Sequence, residues 1–588
     1  MENVEIARAL LDVADLIEIQ GGNPFRVRAY RNAALTVESQ TVALRKMVED
    51  GKDLTELPAV GKDIARHIKE LVETGKLGVL EELERQVPRG LIELTRLPGL
   101  GAKRAKLLWD QLGIQTLEQL ERAARADEIK GIKGFGAKTQ QRILEGIAAY
   151  RKRGSRFKIV DADQYVEPLV EYLRRDPAVE SVDVAGSYRR RRETVGDIDV
   201  LVIAKDAGAV MKHFTAYGDV TTVQLAGDTK GTVVLKSGLQ VDLRILPKKS
   251  YGAALQYFTG SKEHAVKVRQ RAVERGLRLS EYGVFEVEKG KEPDDEERDP
   301  WAGRMVAGKT EEEVYAALDL PWIPPELREN RGEVEAAARD ALPDLIVLED
   351  VRGDLQMHST WSDGKYSLEE MMDACVERGY EYFAITDHSK ALAMTGGLDA
   401  KKLREQWKEI DEIASRRSDI RILKGMEVDI LADGTLDLED EMLAQLDVVL
   451  ASIHSRFDLP AAKQTERVLR AIRHPEVNIL AHPTGRQINR RDAMDFDLDE
   501  VLRCAVEHEV VVEINAHPDR LDLKDTHAMR AKELGGRMAI STDAHRPAEL
   551  AFMRYGVDQA RRAWLEKGDV INTLPYDRLA EILAKRRP

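Results

Sequence analysis

Two aspartates stand two residues apart at the start of an apolar run, in Gly196-Asp197-Ile198-Asp199-Val200-Leu201. Side chains alternate across an extended strand, so Asp197 and Asp199 share one face. Further on, Val241-Asp242-Leu243 places a third acid inside a second apolar run. Three carboxylates brought together repel one another unless a cation sits among them, and hard oxygen ligands select Mg²⁺ or Mn²⁺. Upstream, Gly186-Ser187-Tyr188-Arg189-Arg190 is a Gly-Ser turn followed by arginines that can grip phosphate. The combination suits two-metal phosphoryl transfer from a nucleoside triphosphate. A lone Asp-X-Asp is common in surface turns; the third acid and the Gly-Ser-Arg segment set this one apart.

A second constellation lies toward the C-terminus. Of the 12 histidines, His358, His388, His454, His482 and His545 fall at or near the ends of strand-like runs. Asp363 follows the first, Asp543 precedes the last, and Glu427 lies in a further run. One histidine so placed is most often a satisfied structural residue. Five, with carboxylates at matching positions, predict a multinuclear metal site. Mixed nitrogen and oxygen ligation suits Mn²⁺, Zn²⁺ or Fe²⁺ rather than Mg²⁺ alone. His474, His508 and His527 lack that strand-end context and are expected to be structural or surface residues; Glu513, Asn515 and His517 lie in a barrel strand, on weaker grounds for a supporting role.

The elements that must position these groups differ along the chain. Runs such as LQMHST, YFAITDH, VVLASIHS and RMAISTDAH alternate with helical stretches after residue 350, seven in series. That order predicts a parallel sheet closed into a distorted barrel, with ligands at strand C-terminal ends. From residue 157, short runs (VDVAG, IDVLVIA, TVVLK, LQVDLRIL) predict an α/β domain. The first 150 or so residues carry helical spacing throughout. Within them Leu57-Pro58-Ala59-Val60-Gly61-Lys62, Leu97-Pro98-Gly99-Leu100-Gly101-Ala102-Lys103 and Ile132-Lys133-Gly134-Phe135-Gly136-Ala137-Lys138 share one layout, an apolar hairpin bearing glycine before a basic helix start. Glycine permits the tight turn, and the helix N-terminus offers backbone N–H groups to a phosphate. Gly61, Lys62, Gly99, Gly101 and Lys103 are therefore expected to contact DNA in a helix-hairpin-helix, a clamp that reads the backbone and not the bases.

The chain has 588 residues and a formal charge of −14. Residues 1–156 hold 27 Lys and Arg against 23 Asp and Glu, a balance of +4, which leaves −18 for the remainder. A basic front on an acidic back predicts two jobs. Two cysteines, Cys375 and Cys504, exclude a disulfide framework and a cysteine-rich zinc module. No apolar run is long enough to span a membrane, and the start lacks signal-peptide order, so a cytoplasmic protein without membrane contact is expected. Arg151 to Arg156 reads as a linker, Glu292 to Pro300 as a surface loop, and Pro321 to Glu326 as a boundary.

GSYRR, GDIDVLV, VDLRIL and Tyr257-Phe258-Thr259-Gly260-Ser261 resemble, in order and spacing, the X family of DNA polymerases. The resemblance implies that Asp197, Asp199 and Asp242 hold two Mg²⁺ or Mn²⁺ ions, with Asp242 as general base for the primer 3′-hydroxyl. It implies that Ser187, Arg190 and Gly196 bind the triphosphate, that Tyr257 and Phe258 flank the sugar, and that Gly260 permits close backbone approach. Arg269 would support the template or nascent pair. Where vertebrate repair members carry Asp and Asn after that motif, this chain has Lys262 and Ala265; a cation at 262 would raise nucleotide affinity. Pro24 to Arg31 resembles the family's 5′-phosphate pocket, with Arg26 and Arg31 as its ligands, but His67 stands where the lyase lysine belongs. An imidazole forms imines poorly.

The C-terminal motifs resemble the PHP (polymerase and histidinol phosphatase) domain, whose nine ligands hold up to three metals. Eight map to His358, Asp363, His388, Glu427, His454, His482, Asp543 and His545, implying Mn²⁺ and/or Zn²⁺ and phosphoester hydrolysis; the ninth position is Gln356. The expected organisation is a lyase-like helical domain at 1–90, a helix-hairpin-helix subdomain at 91–156, a nucleotidyltransferase palm at 157–248, a nucleotide-binding thumb or fingers subdomain at 249–325, a linker at 326–349 and a distorted (β/α)7 PHP barrel at 350–588. Together they predict a monomeric gap-filling DNA polymerase using gapped or primer-template DNA and deoxynucleoside triphosphates, with a 3′-end nuclease. A DNA-binding protein with a merely structural PHP domain and a small-molecule phosphatase are the rival readings. Near-complete ligands argue against the first, the DNA clamps against the second.

Overall fold

The computed structural model describes residues 3–38, 44–57, 59–95, 97, 100–132, 134–136, 139–144, 146–147, 156–287, 301–392 and 395–584. Gly99, residues 151–155 of the expected linker and the loop at 292–300 lie outside the described residues. The chain divides into two compact units, residues 1–156 with 489–491, and 157–488 with 492–588.

Among its described residues the first unit is helical to residue 156, with α1 (Asn3–Gln20), α2 (Pro24–Glu38), α3 (Lys62–Thr74) and α4 (Ala102–Leu112) among its elements. The three sequence repeats share one hydrogen-bond pattern. The N–H of Val60, Leu100 and Phe135 donates to the carbonyl three residues back, of Leu57, Leu97 and Ile132. One turn later Gly61, Gly101 and Gly136 accept from Ala65, Ala105 and Gln140. Each hairpin buries its apolar pivot (Val60, Leu100 or Phe135) in the unit's core and leaves the glycine that follows (Gly61, Gly101 or Gly136) exposed.

In the second unit a five-stranded sheet runs in the order β1 (Val179–Val184), β2 (Asp197–Ala204), β5 (Gln240–Ile245), β4 (Lys230–Leu235) and β3 (Val220–Ala226). All its pairings are antiparallel except β2 with β5, which are parallel and place Asp199 directly opposite Asp242. A short helix, α5 (Gly186–Arg189), enters beside β2. Next come α6 (Tyr251–Thr259), α7 (Lys262–Glu274) and an antiparallel sheet of β6 (Leu277–Ser280), β7 (Gly283–Glu286) and β8 (Met305–Ala307). The segment 326–349, expected as a linker, is folded onto this subdomain: Leu327, Val334, Ala337 and Leu345 join Val268, Val314 and Tyr315 in one core.

The remainder is a barrel of seven parallel strands in sequence order: β9 (Gly353–Asp354), β10 (Tyr382–Ile385), β11 (Arg421–Asp429), β12 (Val448–Ser452), β13 (Ile479–Leu480), β14 (Val511–Asn515) and β15 (Met538–Ser541). Met357 and Ala544 bridge the first and last strands beyond their ends, with His358 N–H donating to Ala544 O at 2.8 Å and Asp543 N–H to Gln356 O at 3.1 Å. Strands covered on both faces explain the near-continuous apolar runs. The barrel helix α8 (Met553–Arg562) meets the five-stranded domain through polar contacts centred on the buried Asp163. Asp163 there accepts from Arg554 at 2.6 Å and from the Tyr555 hydroxyl at 2.8 Å. Lys158 pairs with Asp519 at 2.5 Å. A buried carboxylate such as Asp163 is costly to leave unpaired, so these contacts hold the two domains in one arrangement.

Candidate active sites

Asp199 and Asp242 face each other across the β2–β5 pair, and Asp197 opens β2 on the same face. Asp242 is held from β4 and from its own strand: Thr232, its direct partner on β4, donates from its hydroxyl at 2.5 Å, and Gln240, two residues earlier on β5, donates from its amide at 2.9 Å. Burial first, then the charges of Asp197 and Asp242, pushes the Asp199 carboxyl up to about 7. That is the electrostatic signature of a site built for cations.

The turn above it explains Gly186 twice over. Its φ is +65°, and a Cβ there would lie 2.5 Å from Asp199 Oδ2. Ser187 follows on α5, half-buried. Arg190 is buried; its Nε donates to Glu329 at 3.0 Å and its Nη1 to the Thr259 carbonyl at 2.7 Å. Arg189 makes a two-pronged contact with Glu311, which also takes Arg328 at 2.5 Å and the Trp322 indole at 3.0 Å. Burial raises the Glu311 carboxyl, but Arg328 and Arg189 outweigh it and hold it at about 2. Tyr257 and Phe258 meet edge to face at the end of α6, with Arg244 over the Phe258 ring at 4.4 Å. A Cβ on Gly260 would press to 2.7 Å of the His264 ring, itself fixed by Glu333 at 2.6 Å. Gly196 precedes β2, and Lys262 and Arg269 are exposed on α7.

In the first unit Gly61 and Gly101 cap α3 and α4, open to solvent, with Lys62 and Lys103 exposed in the first turns. Arg26 is exposed, whereas Arg31 already pairs with Asp15 at 2.9 Å and Glu18 at 2.5 Å. His67 is buried against Tyr30, its Nδ1 3.0 Å from the hydroxyl. Burial, then Arg66, lowers its pKa.

At the barrel mouth the predicted ligands converge. Among the described residues, ligand atoms of His358, Asp363, His388 and His545 lie within 4.8 Å of one another, as do those of His388, Glu427 and His454, and of His358, Glu427 and Asp543. His482 Nε2 reaches Glu427 at 2.8 Å. His358 Nδ1, His388 Nδ1 and Glu427 Oε2 are buried without hydrogen-bond partners, which fits donors reserved for metal. Burial opposes ionisation of Glu427, but His388 and His454 drive its pKa well below the usual range. His482 and Asp543 both have left-handed backbone, φ +27° and +56°. Such strain at strand ends turns these side chains into the mouth. Gln356 is fully buried, and neither amide atom has a partner.

Of the residues that support these ligands, Glu513 and Asn515 are expected from the sequence on weak grounds, whereas Asp429 and Arg520 are not. Asp429 holds His454 Nδ1 at 3.1 Å, and Arg520 lies 3.5 Å from Asp543. Glu513 accepts the His482 N–H at 2.7 Å, and Asn515 donates to Asp543 at 3.1 Å. A spacing of two on β14 puts Glu513 and Asn515 on one strand face, and that is the signal that points to them; Arg520 comes from a loop and leaves none.

Family models match in chain order: a helix-hairpin-helix domain at 1–77, a SAM-like helix-hairpin-helix tandem at 91–149, a DNA polymerase beta palm at 156–262, a DNA polymerase beta thumb at 254–329 and a PHP domain at 354–517. The DNA polymerase/3′-5′ exonuclease PolX of Bacillus subtilis (strain 168) is 40% identical over 574 residues, 97% of each chain. The chain belongs to the X-family DNA polymerases that carry a PHP domain. Within the X family, DNA polymerase lambda of Rattus norvegicus is 25% identical over 351 residues, 56% of each chain. A probable phosphatase of Thermoanaerobacter is 27% identical over 231 residues, 37% of this chain and 89% of its own. The expected multidomain architecture, from helical repeats through palm and thumb to a seven-stranded barrel, is the observed one.

The raised Asp199 carboxyl has a measurable consequence. Below about pH 7 it holds a proton that a metal must displace. Mn²⁺ affinity at the palm, measured in a His358→Ala background, should therefore fall by up to about tenfold per pH unit below 7 and level off above it. Asp199→Asn should flatten the profile. A parent profile flat from pH 5 to 8 would contradict the assignment.

Proposed function

We propose that the chain is a DNA-directed DNA polymerase that fills gaps during repair, with a 3′–5′ exonuclease in its barrel. The observation that carries this reading is the parallel β2–β5 register, which gathers Asp197, Asp199 and Asp242 on one face beside the Gly186 turn. Divalent ions, Mg²⁺ or Mn²⁺ at the palm and Mn²⁺ and/or Zn²⁺ at the barrel, would supply charge neutralisation and Lewis acidity. Asp242, oriented by Thr232 and Gln240, is placed to take the proton of the primer 3′-hydroxyl. Ser187 and Arg190 bind the triphosphate of the incoming deoxynucleotide, and Tyr257 and Phe258 bound its sugar. In the barrel, Asp429 and Glu513 keep His454 and His482 in position, and Arg520 neutralises phosphate charge arriving beside Asp543. Exposed helix starts at Gly61 and Gly101 hold the DNA backbone. The chain supplies every residue of both sites, so a monomer suffices.

The two activities should separate. On a labelled gapped duplex with Mn²⁺, Asp242→Ala should lose nucleotide addition by about 10³-fold or more and keep 3′-end removal. His358→Ala should show the reverse. Addition by the Asp242 variant within tenfold of the parent would refute the palm assignment. Shortening at the parent rate by the His358 variant would leave the barrel as a structural domain.

Lyase chemistry is absent by the usual route, because the position of the imine-forming lysine is a buried histidine tied to Tyr30. Borohydride treatment of the protein with an abasic-site duplex should give no covalent product. Efficient trapping would assign the reaction to another lysine.

A further inference from the structure

The nucleotide-binding turn is gripped from outside the polymerase domains. Arg562 closes the barrel helix α8 and is almost wholly buried. Its Nη1 donates to the Arg190 carbonyl at 2.7 Å and lies 3.0 Å from Glu329 Oε1. That same oxygen accepts from Arg190 Nε at 3.0 Å, so one carboxylate oxygen bridges two guanidiniums. Arg562 Nη2 donates to Asp525 at 2.6 Å, which anchors it to the barrel. One helical turn earlier on α8, Asp558 accepts from Arg191 Nε at 2.7 Å. Residues four apart share a helix face. Asp558 and Arg562 thus hold consecutive residues, Arg191 by its side chain and Arg190 by its carbonyl and through Glu329.

We infer that this face of α8 positions the nucleotide site of the polymerase: Asp558 and Arg562 are positioning residues for Arg190, and the PHP barrel is a working part of the palm. The inference rests on the polymerase reading above. Backbone bonds from the N–H groups of Arg189, Arg190, Arg191 and Arg192 to Ala185, Gly186, Tyr188 and Ser187 shape the turn, and Arg191 Nη1 also donates to Asp163 at 3.2 Å, but none of these reaches the Arg190 carbonyl. α5 is only four residues long, and Arg191 has positive φ, +52°. The Arg190 guanidinium approaches Thr259 O and Glu329 only if its backbone is held, and α8 supplies two of the contacts that hold it. Misplacing a binding group by an ångström is enough to cost about 10²-fold in the extreme. Neither residue touches nucleotide, so their removal should weaken nucleotide capture more than chemistry.

The test is single-nucleotide gap filling by the full-length protein, with 3′-end removal and melting temperature followed in parallel. Arg562→Lys keeps the charge but cannot reach Asp525, Glu329 and the Arg190 carbonyl together; Asp558→Ala removes the barrel partner of Arg191 and leaves it Asp163 alone; Asp558→Asn keeps an acceptor. Arg561→Ala serves as control, because it breaks a neighbouring pair with Glu326 at 2.8 Å without touching the turn. KM for the deoxynucleotide should rise about tenfold in Arg562→Lys and Asp558→Ala, with kcat within about threefold, and Asp558→Asn should recover most of the loss. Arg561→Ala should match the parent, and all variants should still shorten DNA. Unchanged KM in folded Arg562 and Asp558 variants overturns the inference, as does an equal rise in Arg561→Ala, which would reduce the effect to general loosening. If Arg562→Lys does not fold, the Asp558 pair decides alone. A parent that adds no nucleotide defeats the polymerase reading instead.

Discussion

The parallel pairing of β2 with β5 is the constraint on which the palm depends. It sets Asp199 opposite Asp242, and burial together with the charges of Asp197 and Asp242 disfavours a charged Asp199, a cost that a cation among the three would relieve. Other features of the palm serve that pairing. Thr232 holds Asp242 from the adjoining strand and Gln240 from its own, and Gly186 is bare so that the turn can pass over Asp199. The barrel solves the same problem with different ligands. Glu427 sits among imidazoles in a closed interior, and the strained backbone at His482 and Asp543 turns two further donors inward.

Around the palm the arginines divide their work. Arg189 ties the turn to the thumb through Glu311, Arg190 to Glu329 and Thr259, and Arg191 to Asp163 and the barrel's Asp558. A run of basic residues that suggests a phosphate grip therefore also joins three domains. Buried ion pairs add little net stability over apolar packing, but each fixes geometry, because a charge left unpaired in the interior is costly. Palm, thumb and barrel accordingly share a polar interface whose partners are specified one by one.

Much of this was legible from residue types and spacing. The period of two in Gly196-Asp197-Ile198-Asp199 announced a shared strand face, and five histidines at strand ends announced the barrel mouth. The helix-hairpin-helix repeats were equally plain, and each now shows the same hydrogen bonds. What spacing could not show is pairing between distant segments. Thr232 opposite Asp242 depends on strand register, Glu311 on where the thumb folds back, and Asp558 and Arg562 on where the barrel docks. The stretch 326–349, expected as a linker after the proline-rich boundary at 321–326, instead carries a short helix whose Val334 and Ala337 are buried in the thumb core. Gln356 was readable as a departure from the ligand pattern, but only the structure shows both its amide atoms buried without partners.

Anomalous diffraction at the manganese edge, from crystals grown with Mn²⁺, gapped DNA and a non-hydrolysable deoxynucleotide, would test most directly that this chain holds two cation sites built from different ligands. The account predicts one set of peaks enclosed by Asp197, Asp199 and Asp242 against the triphosphate, and a separate set among His358, Asp363, His388, Glu427, His454, His482, Asp543 and His545. Nucleotide bound without manganese at the three aspartates, or a barrel mouth empty of metal with its imidazoles paired only to carboxylates, would contradict it.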